Sequence, residues 1–137
     1  MKRLEPFNQT MQLLQKVLDL RAANQTVIAS NIANSDTPSY NRREFQFENE
    51  LQSALTGAPG ALQTTHAKHI SLTAGNVNDI HGKVVEFKDE TGIGDENSVS
   101  VDMEMMALSE NQLLYEATTQ LLKKKLGMLE YAISGGK

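Results

Sequence analysis

The chain runs to 137 residues with a formal charge of −4, 39% apolar and 5% aromatic residues, and neither Trp nor Cys. That length allows one domain, the acidic balance argues against nucleic acid, which needs a basic face, and the lack of thiols excludes a disulfide or a thiolate zinc site. With so few large side chains, part of the apolar surface is expected to wait for a partner chain.

Three zones follow one another. In the first, 1–36, the opening Met1, Lys2 and Arg3 lead into no apolar stretch of the kind a secretory signal needs, so any export is expected to use no cleaved signal peptide. Nor is there a run of about 18 apolar residues to insert in a membrane. Counting in steps of three and four, Leu4, Phe7, Met11, Leu14, Leu18, Arg21, Gln25, Ile28 and Ile32 form a largely apolar stripe. It predicts an amphipathic helix over 6–34, roughly 40 Å long, with Pro6 tolerated in the first turn. A neighbouring stripe, Leu13, Val17, Leu20, Asn24, Val27, Asn31 and Asn34, begins apolar and turns polar. Asparagines at such spacing either fix register at a helix seam or face water.

The second zone, 37–98, opens at Thr37-Pro38, where proline forces the preceding residue out of helical geometry. Phe47, Leu51 and Leu55 share one face of a short helix expected over 44–55, stopped by Gly57-Ala58-Pro59-Gly60. Val84, Val85 and Phe87 suggest a short strand. The remainder is rich in Gly, Thr, Asn and Asp and reads as loop, longer than a compact domain usually carries.

In the third zone, 99–137, Val99 and Val101 alternate with polar residues as an extended lead-in. Asp102 is expected to cap the helix that follows, with Val101 and Met106 as a hydrophobic staple. The expected seam is Met105, Leu108, Gln112, Tyr115, Thr119, Leu122, Leu126, Leu129 and Ile133, ended by Gly135-Gly136. At close to 50 Å, roughly, this helix outruns the first. The expected fold is therefore mainly α: two long terminal helices forming a coiled-coil-like hairpin, with an irregular, partly extended polar middle segment.

No constellation in the sequence points to chemistry. His66 and His69 have no carboxylate at metal-ligand spacing, and His81 stands apart. Gly92-Ile93-Gly94 lacks the Lys and the helix of a phosphate loop. Lys123, Lys124 and Lys125 point in three directions on a helix and form no phosphate-binding stripe. The methionines at 103, 105 and 106 suit either a core or an adaptable protein-binding surface. Neither a catalytic residue, nor a cofactor site, nor a metal site is expected.

The run Ser30-Asn31-Ile32-Ala33-Asn34-Ser35-Asp36-Thr37-Pro38-Ser39-Tyr40 resembles the N-terminal signature of the bacterial flagellar axial proteins, a Ser/Asn-Asn-Ile-Ala-Asn-x-x-Thr-x-Gly-Tyr pattern, and departs from it at Ser39, where the pattern has Gly. Leu20-Arg21-Ala22 upstream and Phe45-Gln46-Phe47 downstream extend the likeness. Toward the other end, Asn97 through Glu104 and then Asn111-Gln112-Leu113-Leu114-Tyr115 resemble the flagellar basal-body rod proteins of the proximal type. Another rod component of the same family is the nearest alternative, and Thr118 after Tyr115-Glu116-Ala117 stands against it. A helical export chaperone or binding module is the alternative of a different class.

The resemblance implies a structural subunit of the periplasmic rod in the flagellar basal body, exported by the flagellar apparatus and not an enzyme. It would assemble helically through its terminal helices and transmit torque from the membrane ring to the hook. Its implied partners are copies of itself, other rod proteins, the rod–ring adaptor and the export apparatus. Subunit contacts are expected at Leu14, Leu18, Asn24, Ile28, Asn31, Ile32, Asn34 and Tyr40, and at Met105, Leu108, Tyr115, Leu122, Leu126 and Leu129. The polar stripe at Asn24, Asn31 and Asn34 is expected to set register between subunits.

Overall fold

A computed structural model of the chain describes residues 5–56, 77–88, 94 and 96–135. Helix α1 spans Glu5–Ala33, strand β1 Arg42–Gln46, helix α2 Glu48–Thr56, a single 3₁₀ turn Val77–Asp79, strand β2 Lys83–Phe87 and helix α3 Val101–Ile133. The two long helices lie against each other as an antiparallel hairpin, as the terminal stripes led one to expect.

Helix α1 ends in a chain of turns. The Asn34 N–H returns to the Ser30 and Asn31 carbonyls, Ser35 to Ile32, and Thr37 to Asn34. The Asn34 side chain donates to the Ser30 carbonyl at 2.8 Å and accepts from the Thr37 hydroxyl at 3.2 Å, the local bonding that lets Asn terminate a helix. Ser39 then takes φ +58°, a left-handed conformation that disfavours any residue with a Cβ.

The chain beyond differs from the sequence expectation. Strand residues 42–46 take the first three positions of the short helix expected over 44–55, and the helix itself starts later, at Glu48–Thr56. Strand β1 pairs antiparallel with β2, Arg42 opposite Phe87 and Gln46 opposite Lys83, so the strand read at Val84, Val85 and Phe87 is present and has a partner. The histidines at 66 and 69 and the glycines at 57, 60, 92 and 136 lie outside the described residues.

The apolar core is small. Leu20 of α1, Phe47 between β1 and α2, and Ile80 after the 3₁₀ turn are buried together, with Phe45, Leu51, Ala54 and Val77 packed around them. Full burial of each such side chain stabilises by about 1.5–3 kcal/mol. Gly82 closes this cluster: its φ is +67°, and an added Cβ would stand 2.4 Å from the Phe45 ring.

Helix α3 also starts differently from expectation. Its N-cap is Ser100, extended and without a side-chain cap bond, and Asp102 lies inside the first turn beside Glu104. There both acids favour the positive end of the helix dipole. Its end matches the reading: Ser134 is the C-cap and Gly135 takes φ +70°.

Candidate assembly interface

Two polar rungs set how the long helices face each other. Asn31 Nδ2 donates to Glu104 Oε2 at 2.9 Å, and Asn24 Nδ2 donates to Asn111 Oδ1 at 3.0 Å. The rungs lie seven residues apart on both helices and run in opposite directions, which is an antiparallel heptad register. Continued, that register sets Val17 opposite Thr118 and Thr10 opposite Lys125. Asn111 also donates to the Arg21 carbonyl at 2.9 Å, and the Thr118 hydroxyl to its own helix at Leu114. The buried residues of α3 are Glu104, Asn111 and Thr118, so its inward spine is polar.

Asn31 is completely buried and uses its whole side chain. Besides Glu104, its amide nitrogen donates to the Arg43 carbonyl at 2.6 Å. Its oxygen accepts the Arg43 N–H at 2.9 Å and the Tyr40 hydroxyl at 3.3 Å. Glu104, 1% exposed, takes Arg42 Nε on its other oxygen. Arg42 also reaches Glu44 at 3.1 Å and lies over the Phe87 ring. Burial works against the Arg42 charge, but the hydrogen bonds and field of Glu104 and Glu44 outweigh it, and its pKa is raised above its ordinary value.

A second tie joins the turns after α1 to the approach of α3. Asn97 Nδ2 points at the carbonyls of Asn34, Ser35 and Thr37 at 2.8–2.9 Å, and its oxygen accepts the Val99 N–H. Next to it, the Ser98 hydroxyl accepts the Arg42 N–H and donates to the Phe87 carbonyl, both at 2.7 Å. It therefore sits between the partners of the last strand rung. The signature run 30–40 and the stretch 97–104 fold onto one another around these bonds.

Of the residues expected to make subunit contacts, Ile28 and Asn31 are buried. Leu14, Leu18, Asn24, Ile32, Asn34, Tyr40, Leu108, Tyr115, Leu122 and Leu129 are half-buried, and Met105 and Leu126 are exposed. Asn24, Asn31 and Asn34 make hydrogen bonds within the chain. The inward seam of α3 is turned by about one residue from the expected one, because Glu104 and Asn111 find polar partners on α1 and β1. Asn97, Ser98, Glu104 and Asn111 entered the sequence reading only through the family resemblance and Arg42 not at all, and none of them was expected at a contact. The seven-residue spacing of Glu104, Asn111 and Thr118 was the signal available. The turn of the seam leaves apolar side chains of the expected seam outside: Met105 is 49% exposed, Leu126 45% and Ile133 77%.

An open cleft of about 540 Å³ lies between β1, α2 and the helix pair, lined by Glu44, Glu48, Glu50 and Lys83 among others. Its acids are occupied with structure. Glu44 pairs with Arg42, Glu48 with Arg21 at 3.1 Å, and Glu50 accepts the His81 and Gly82 N–H groups. Among the described residues no group of three His, Cys, Asp or Glu could hold a metal ion, and no helix is long and apolar enough to cross a membrane.

Residues 11–40 match the family described as flagella basal body rod protein. The chain is 31% identical to the flagellar basal body rod protein FlgB of Bacillus subtilis over 131 residues, covering 96% of this chain and 98% of that one. It is 30% identical to the FlgB of Salmonella typhimurium, with 97% and 99% covered, and 32% identical to that of Borrelia hermsii, with 84% and 88% covered. The matched stretch contains Asn31, whose side chain ties α1 to the strand and to α3, Asn34, whose side chain bonds Ser30 and Thr37 at the end of α1, and Tyr40, whose hydroxyl reaches Asn31.

Proposed function

The chain belongs to the flagellar basal body rod protein family, FlgB type, and from that premise we propose that it is a structural subunit of the proximal rod. In this reading the hairpin of α1 and α3 is the assembly unit. Copies stack helically with one another and with other rod proteins in the periplasm, bounded by the rod–ring adaptor, and carry torque toward the hook. The subunit reaches that place through the flagellar export apparatus without a cleaved signal. Contacts of this kind are heterologous and need not close on themselves, as a tube requires.

The observation that carries the reading is the inverted packing of α3. Its inward spine is polar and saturated with partners, whereas Met106, Leu113, Leu126 and Ile133 are 45–77% exposed. A helix that spends its polar residues inside the hairpin and its apolar ones outside is built to be covered by other chains. Of the residues expected at subunit contacts, Met105 and Leu126 are the outward ones, and Asn24 and Asn31 serve such contacts indirectly by holding the hairpin in register.

The test is a cell carrying Leu126→Asp in this chain. Secretion through the export apparatus should persist, since an unfolded substrate does not present the helix surface, while the protein disappears from purified hook–basal bodies and motility is lost. Normal incorporation of the variant would defeat the proposal. So would recovery of the wild-type chain only as a soluble stoichiometric complex with one partner, the behaviour of a chaperone or binding module.

A further inference from the structure

The outer face of α3 carries a pattern that the hairpin does not use. Ala117 is exposed at the middle of the face turned away from α1. Four residues to either side stand Leu113 and Leu121, exposed by 67% and 56%. Seven residues to either side stand Glu110 and Lys124, also exposed. Eleven to either side are Met106 and Met128, and fourteen to either side Met103 and Tyr131, all more than half exposed. Steps of three and four keep these positions on one face of a helix. The stripe is thus symmetric in apolar character about Ala117 and opposite in charge.

We propose that in solution two copies of this chain pair antiparallel along this stripe, about a twofold axis at Ala117. In that arrangement each residue meets the one equally far on the other side of the axis. Leu113 faces Leu121, Met106 faces Met128 and Met103 faces Tyr131, over about eight helical turns. Glu110 faces Lys124 twice, once at each side of the axis. Neither makes an ion pair among the described residues, so both are available. Charge also selects the direction. Parallel in-register pairing would set Glu110 against Glu110 and Lys124 against Lys124, which opposes association. At the axis, the small Ala117 side chain lets the backbones approach. The contact is isologous, unlike the heterologous contacts of a tube, and hides the apolar stripe of a free subunit without needing the rod.

Sedimentation of the full chain across a concentration series tests this directly. The wild type should shift from monomer to twice the chain mass. Glu110→Lys, and separately Lys124→Glu, should raise the dimer dissociation constant about tenfold or more. The double exchange should restore it. Both positions are exposed and outside the hairpin contacts, so helix content read by circular dichroism at high concentration is the control for folding. The chain has no cysteine, so introduced thiols report geometry. Ala117→Cys should link to its own copy on oxidation, and Glu110→Cys should link to Lys124→Cys but not to itself. A chain that stays monomeric throughout, a double exchange that fails to restore pairing, or Glu110→Cys chains that link to one another would each overturn the proposal. Incorporation into basal bodies is a separate measurement, so a failed dimer leaves the rod assignment to its own test.

Discussion

Asn31 and Arg43 stand twelve residues apart, and the side-chain amide of the first hydrogen-bonds both backbone groups of the second, at 2.6 and 2.9 Å. The asparagine takes the part of a neighbouring strand on the side of β1 away from β2. Because the same amide also donates to Glu104, one side chain locks the strand, α1 and α3 together. A shorter side chain would not reach all three, and an anionic one would oppose the neighbouring Glu104 carboxylate.

Replacement of Asn31 therefore separates shape from charge. Asn31→Ala leaves the Arg43 backbone and one Glu104 oxygen without partners and is expected to cost about 3 kcal/mol in a denaturant melt, several buried polar groups being stranded together. Asn31→Asp keeps the shape but brings a second carboxylate to the first. Mutual repulsion raises the folded-state pKa of that pair above its unfolded value, so stability is retained at low pH, where a proton is shared, and lost as pH rises through the raised value. Melts of the two variants from pH 4 to 8 should diverge in that sense, with Asn31→Ala showing the weaker dependence.

Asn97 does for the turns after α1 what Asn31 does for the strand. With its amide aimed at three carbonyls between Asn34 and Thr37, Asn97→Ala should release that run while leaving the long helices paired. Amide hydrogen exchange of residues 34–40 is expected to accelerate by at least about tenfold, the equivalent of losing a net bond or so. Uniform acceleration through α1 and α3 as well would show that the turn and the hairpin form a single cooperative unit.

The long helices were legible because their apolar residues recur at helical spacing, and that signal survives ignorance of the partner. Which side of α3 turns inward was not legible. Leu108, Tyr115 and Leu122 flank the true seam closely enough to suggest a purely apolar one. Burial of Glu104 depends on Arg42, 62 residues away, which no periodicity reports. Strand β1 was hidden for a similar reason. Phe47 and Leu51 continue at helical spacing out of RREFQ, and the strand's partner lies about forty residues on. The asparagine spacing was visible, but an asparagine's partner is a property of the folded geometry.

Gly82 is a position where backbone and packing demands coincide. Gly82→Ala must hold φ near +67° with a Cβ and push it against the far end of the Phe45 ring, which packs against the small core. An expected loss of about 2–3 kcal/mol combines the left-handed strain with overpacking. The double variant Gly82→Ala, Phe45→Leu should recover part of this, because the clash is removed and the strain stays. No recovery would assign the whole effect to the backbone.

Ser39 offers the opposite change. It holds φ +58° in the turn that carries the chain from α1 toward β1, at the one place where the run 30–40 departs from the flagellar axial pattern, which has Gly there. A left-handed residue with a Cβ costs about 1–2 kcal/mol, whereas Gly adopts that region freely and loses about 0.5–1 kcal/mol to its more flexible unfolded state. The difference predicts that Ser39→Gly stabilises the chain by up to about 1 kcal/mol, and that Ser39→Ala changes little and Ser39→Val is destabilising. Asn at this position should fall between Ser and Gly, since its side chain tolerates the left-handed region through local hydrogen bonds. Equilibrium denaturation of the series orders these variants, and a Ser39→Gly chain less stable than the parent would mean that Ser39 contributes through its hydroxyl and that conformation is the lesser effect.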